Sequence, residues 1–172
     1  MNGFPAPLTI TWQLVRGAGW QSATIGWFGG DYYSHIDVVT PEGLLRGARS
    51  DWIKGIAPGY RDRPQGYEWW VRQTRFTLRV TPMQWKKYWE WSDAHLGCPY
   101  DERGLLLAFV FGFKHKLRDN RGKKWVGWCS QEVALNGEHA GLWELPPAIT
   151  NVNPGDLAFT FARDALRTEV IF

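Results

Sequence analysis

The tetrad Thr81-Pro82-Met83-Gln84 divides this chain more sharply than any other feature in it. Thr81 can cap a helix, Pro82 suits the first helical position, and Gln84 can reach back to the cap as a T-x-x-Q capping box. Downstream, Trp85, Tyr88, Trp89, Ser92 and Leu96 recur at helical spacing, with Gly97 as the expected stop. Upstream, the apolar pattern has period two. It predicts strands over residues 8–15, 34–40, 44–48 and 68–80, the last as one strand or as two parted near Gln73-Thr74. Pro41-Glu42-Gly43 reads as the turn of a hairpin, and residues 51–66, rich in Gly, Pro and Arg, as an exposed loop. Beyond the first helix, helices are expected over 102–115, from Cys129 or Ser130 to Asn136 with Gly137 closing it, and over 154–162. Residues 169–172 make a short strand or a frayed tail. Strands first and helices after give an α+β chain rather than a βαβ alternation.

Composition narrows the function classes. The chain has 172 residues, 44% hydrophobic and 22% charged, with a formal net charge of +3. That balance excludes a disordered chain and suits one domain over residues 1–172. No apolar run reaches the ~18–20 residues of a membrane span. The start of the chain has neither a basic n-region nor an apolar h-region, so no secretory signal is expected, and a cytoplasmic or phage-associated setting follows. Lys and Arg are scattered among acids except in Lys114, Lys116, Arg118, Arg121, Lys123 and Lys124, which read as a solvated loop, and no nucleic-acid partner is expected. The 12 Trp residues are unusually many. They fill a core or line a groove, and those in residues 20–27 are candidates for the border of a cleft.

Two cysteines make no disulfide framework and no zinc spacing, and neither metal nor cofactor is implied. Cys129, in Trp128-Cys129-Ser130-Gln131-Glu132-Val133, stands where an extended segment enters a helix. Peptide dipoles and unpaired N–H groups there stabilise a thiolate and could hold an oxyanion, although a small buried hydrophobe is the plainer role for a free Cys. His35 is the natural partner as base and imidazolium counter-ion. Asp37 lies two residues on, on the same strand face, and could orient the imidazole across the ~6–7 Å of an i,i+2 step. Asp51 and Glu132 are further acids to weigh. Cys98, before Pro99 in a turn, is the competing thiol. His95 suits the negative end of its helix, and His115 and His139 read as surface residues.

These segments, in this order, resemble the circularly permuted papain-like hydrolases. These are the YiiX-type branch of the NlpC-like superfamily, which also holds the lecithin:retinol acyltransferase-like enzymes. The resemblance rests on Ser34-His35-Ile36-Asp37-Val38-Val39, the Pro-Glu-Gly turn, Leu45-Arg46-Gly47-Ala48-Arg49, Thr81-Pro82-Met83-Gln84-Trp85, Gly97-x-Pro99-Tyr100-Asp101, Trp128-Cys129-Ser130-x-Glu132-Val133 and Asn153-Pro154-Gly155-Asp156-Leu157. It spans roughly residues 20 to 160. It implies an antiparallel sheet or half-barrel packed on helices, Cys129 as nucleophile, His35 as base, and amide or ester substrates such as peptides, muropeptides or acyl groups. Small members of this type are often encoded by bacteria and their phages. The chain departs from the pattern in two places. Gln131 is an extra residue between Cys129-Ser130 and Glu132, and Gly47 stands where the third polar residue belongs. Asp37, a main-chain carbonyl or a water then takes that role. A non-catalytic binding or assembly module, such as a virion component, is the alternative, motivated by Gly47 and the Trp content. An acyltransferase using the same thioester chemistry is a third.

Overall fold

The computed structural model describes residues 7–18, 33–67, 70–102, 128–144, 152–164 and 167–171. Of the sequence expectations, residues 20–27, the basic cluster 114–124 and all but the first residue of the 102–115 helix lie outside these.

Strand β1 (Thr9–Gly17) runs between β2 (His35–Val39) and β5 (Trp70–Arg79), antiparallel to both. β3 (Leu45–Arg49) and β4 (Gly59–Arg63) extend the sheet beyond β2, and β6 (Arg167–Ile171) extends it beyond β5. The order is β4-β3-β2-β1-β5-β6, antiparallel throughout. Three helices belong to the described residues: α1 (Pro82–Ala94), α2 (Cys129–His139) and α3 (Pro154–Asp164). The architecture is α+β. No helix of the described residues is long and apolar enough to cross a membrane.

Period-two alternation on β1 separates two environments. Ile10, Trp12 and Leu14 share one face, with Trp12 opposite Val38 and Phe76 and Leu14 opposite Ile36. On that face α3 stacks Phe161 on Trp12 at 4.6 Å, and Tyr88 of α1 accepts the Trp12 indole N–H at 2.8 Å. A ring of this size removes ~150–250 Å² from water, worth about 4–6 kcal/mol at ~25 cal/mol per Å². Trp12, with none of its surface exposed, is therefore an anchor of the core. The other face of β2 carries His35, opposite Val15, and Asp37, opposite Gln13.

Helix α1 starts as its sequence requires. Gln84 N–H donates to Thr81 Oγ1 at 3.2 Å and Thr81 N–H donates to Gln84 Oε1 at 3.0 Å, closing the capping box. Tyr88, Trp89 and Ser92 form its buried stripe. The helix ends at Ala94 with His95 as C-cap, and Gly97 supplies the left-handed turn beyond it at φ +92°.

Two expectations are corrected. Residues 51–66 are not one exposed loop, because β4 lies within them as an edge strand with Tyr60 and Arg63 buried. Its sequence, GYRDR, lacks apolar alternation, and its two buried side chains, Tyr60 and Arg63, fall on opposite faces of the strand. The Arg63 guanidinium donates to the carbonyls of Gly47 at 2.7 Å, Arg61 at 3.1 Å and Gly59 at 3.1 Å. Gly137 does not end α2, which continues to His139. Gly137 is instead a contact glycine, since a Cβ there would collide with the Trp143 ring, while Gly141, at φ +69°, makes the turn that follows.

Candidate active site

The β2–β3 hairpin builds the first half of the site. His35 and Asp37 sit two residues apart on one strand face, and their side chains lean together until His35 Nε2 and Asp37 Oδ1 are 2.8 Å apart. Both are buried, Asp37 completely. The other Asp37 oxygen, Oδ2, accepts the Tyr67 hydroxyl at 2.9 Å. One step along the hairpin from the Val38–Arg46 pair, Gly47 faces Asp37, and a Cβ there would collide with Asp37 Oδ1. The hydroxyl of Tyr67 also accepts from Arg49 Nη1 at 3.3 Å, and Arg49 holds Asp51 through two bonds of 2.8 and 2.9 Å. A chain of donors and acceptors thus runs from the imidazole to the partly exposed Asp51.

The start of α2 supplies the second half. Trp128 is its extended N-cap, without a side-chain cap, and Cys129 is its first residue. The segment is pinned by Val152, whose carbonyl accepts Ser130 Oγ at 2.6 Å and Trp128 Nε1 at 3.4 Å. Helix α2 packs on β2 and β3, which brings the buried Cys129 thiol within electrostatic reach of the His35 ring and the Ile36 backbone. Because Asp37 occupies Nε2, Nδ1 is the ring nitrogen left for the sulfur.

The electrostatics follow from these contacts. Burial alone lowers the affinity of His35 for its proton, but the Asp37 carboxylate and the Cys129 sulfur outweigh it and raise the imidazole to about 9. Burial raises Cys129, yet the adjacent imidazolium and its hydrogen bonds bring the thiol below its ordinary value. Burial likewise opposes the charge on Asp37, and His35, Tyr67 and Arg63 together hold its carboxyl below the usual range. Both shifts favour the thiolate and imidazolium forms of the pair.

Cys129, His35 and Asp37 are thus brought together. Cys98 is placed elsewhere, in the turn after α1, where its carbonyl accepts the Tyr60 N–H of edge strand β4 at 2.8 Å. His95 caps α1, with Nδ1 2.7 Å from the Trp91 carbonyl and its ring stacked on Trp91. Exposed His139 ends α2, and Glu132 is buried on α2, within electrostatic reach of Tyr60 and Tyr88. Sequence reasoning missed Tyr67, and it named Tyr100 only as part of a turn. Burial first, and then the charge on Cys129, push the Tyr100 phenol well above its ordinary value. Gly47 was legible from the hairpin register, which sets it opposite Asp37. Tyr67 sits in a stretch with no periodic signal.

The fold is similar to the crystal structure of the metalloprotein YiiX from Escherichia coli O157:H7. The TM-score is 0.51 and the identity 14%, over 96% of this chain and 97% of that one. At that identity the likeness shows the fold alone. No family model matches the sequence, and no curated protein matches it. Among the described residues no three His, Cys, Asp or Glu side chains gather into a set that could hold a metal ion.

Proposed function

We propose that this chain is a thiol hydrolase of the circularly permuted papain-like type. One observation carries the reading: a buried thiol at a helix N-terminus lies within electrostatic reach of an imidazole whose Nε2 is held by a buried carboxylate. These are the parts a nucleophile, its base and an orienting group require. The similarity to YiiX in fold supports it.

In this reading the Cys129 thiolate attacks the carbonyl carbon of an amide or ester. N–H groups at the start of α2 steady the tetrahedral oxyanion. His35 gives its proton to the leaving amine or alcohol as the C–N or C–O bond breaks and a thioester forms. Water then attacks the thioester, His35 takes a proton from it, and the thiolate leaves with the carboxylic acid product. Asp37 keeps Nδ1 turned to the sulfur throughout. Peptidoglycan peptides are the first substrate class in this reading, followed by other peptides and acyl esters, as the family resemblance implies. An acyltransferase would run the same first half and replace water with another acceptor.

A binding module that merely keeps the fold was motivated by the glycine at position 47. The Asp37 carboxylate beside Gly47 weakens that motive, because it supplies a third polar group from the neighbouring strand. The test is Cys129→Ala, assayed against peptides, muropeptides and acyl esters. Turnover in the variant should fall to background, a loss on the order of 10⁴-fold or more relative to wild type, with an unchanged circular dichroism spectrum. Full activity in that variant removes the hydrolase reading.

A further inference from the structure

The Asp37 carboxylate is held at three points, and only one of them is His35. Oδ1 lies in space that exists because residue 47 has no side chain. A Cβ there would collide with Oδ1, come within 3.0 Å of Asp37 Cγ and lie 3.1 Å from the Ile36 carbonyl oxygen. Real Cβ atoms avoid such contacts, so any other residue at position 47 must move the carboxylate or the strand. Oδ2 accepts the Tyr67 hydroxyl at 2.9 Å, and Tyr67 is itself buried. Tyr67 packs edge-on against Trp70 with ring centroids 5.2 Å apart and lies under the Arg49 guanidinium at 5.4 Å, so its hydroxyl has a fixed place. The backbone of Gly47 is fixed as well, since its carbonyl accepts Arg63 Nη1 at 2.7 Å.

We propose that Gly47 and Tyr67 are positioning residues for Asp37. Gly47 leaves the space for one carboxylate oxygen to meet His35 Nε2, and Tyr67 anchors the other. The inference rests on the thiolate–imidazolium reading given above and adds two residues to it. A buried carboxylate with one oxygen released can rotate off the ring, and the imidazolium then loses the neighbour that stabilises it. Loss of the Tyr67 donor also concentrates negative charge on the carboxylate, which acts in the opposite direction. The proposal states that positioning prevails.

The test follows the His35 imidazole by NMR titration, and in parallel the alkylation rate of Cys129 at pH 6, in wild type and variants whose folding is checked by circular dichroism. Asp37→Asn is the reference for a site without its carboxylate and should lower the His35 midpoint most. Gly47→Ala should lower the midpoint nearly as far and slow alkylation by about tenfold per unit by which the thiol rises. Tyr67→Phe should lower the midpoint by less than Gly47→Ala. A folded Gly47→Ala or Tyr67→Phe with an unchanged or higher midpoint overturns the proposal, whereas an Asp37→Asn protein that titrates like wild type overturns the underlying reading instead. If Gly47→Ala does not fold, Asp37→Ala with Gly47→Ala should recover the fold, because the colliding carboxylate is gone. Failure of the double variant where Asp37→Ala alone folds overturns the steric part of the proposal.

Discussion

Strand β3 places two buried ionic clusters on opposite faces, one residue apart, and they are built to different ends. On one face Arg46 donates to Asp62 through Nε at 2.6 Å and Nη2 at 2.9 Å, and through Nη1 to Ser92 at 3.1 Å and Asp93 at 2.5 Å. Its guanidinium also lies 5.7 Å from the centroid of the Trp89 ring. Arginine keeps its charge at any ordinary pH, so these bonds fasten α1 to β3 and β4 and do nothing else. On the other face Gly47 withholds a side chain, Asp37 fills the space, and the partner is a histidine. Histidine, unlike arginine, can release its proton at an accessible pH, here about 9, and a thiol stands beside it. A fixed charge given two carboxylates is a clamp. A proton shared among imidazole, carboxylate and sulfur is a chemical group.

The comparison breaks most visibly at Arg46. Replacing it with Ala leaves Asp62 without its bidentate partner and should cost about 3 kcal/mol of stability, the lower end for a broken buried pair because Asp93 can turn to water. Urea unfolding measures this. The alkylation rate of Cys129 in the folded fraction should stay within twofold of wild type. A large fall in that rate would mean that the two faces are coupled.

Asp37→Asn sharpens the other side. With the carboxylate gone, burial is no longer outweighed, and the His35 midpoint should drop from about 9 by roughly two units. The alkaline limb of activity or alkylation follows it down. Stability should change less than in Arg46→Ala, since the amide still accepts the Tyr67 hydroxyl and can still meet the ring.

The smallest effect lies in the pH dependence of stability. His35 binds its proton more tightly folded than unfolded, so the stability it draws from Asp37 is fully present below pH 6.5 and is lost as pH rises through about 9. The stability gap between wild type and Asp37→Asn should therefore narrow on going from pH 6 to pH 10, by about 2–3 kcal/mol. A gap that stays constant or widens would show that the imidazolium is not what Asp37 stabilises. Between pH 6 and pH 10 the depressed carboxyl of Asp37 is ionised folded and unfolded alike, so it does not confuse this window.

Much of this arrangement was legible because it is local. The period-two runs around His35 and Leu45, the capping box at Thr81 and the thiol before an apolar helix each declare themselves within a few residues. The His35–Asp37 contact needed only strand geometry and favourable rotamers. What escaped is non-local or polar. Strand β4 has no apolar alternation to betray it, because its buried side chains are Tyr60 on one face and, on the other, an arginine satisfied by three carbonyls. Gly137 looked like a stop because glycine usually is one, but it makes room for Trp143. Tyr67 reaches Asp37 across 30 residues of sequence, and nothing around it marks that distance.

The most direct measurement is the pH dependence of iodoacetamide alkylation at Cys129 and Cys98, read by peptide mass spectrometry in wild type and in His35→Gln, which keeps a donor for Asp37. Cys129 in the wild-type protein should react rapidly near pH 6, and faster than Cys98. In His35→Gln the advantage of Cys129 should disappear while the fold, checked by circular dichroism, remains. A Cys129 that reacts no faster than Cys98 near pH 6, or one that keeps its advantage without the imidazole, would contradict the thiolate–imidazolium pair.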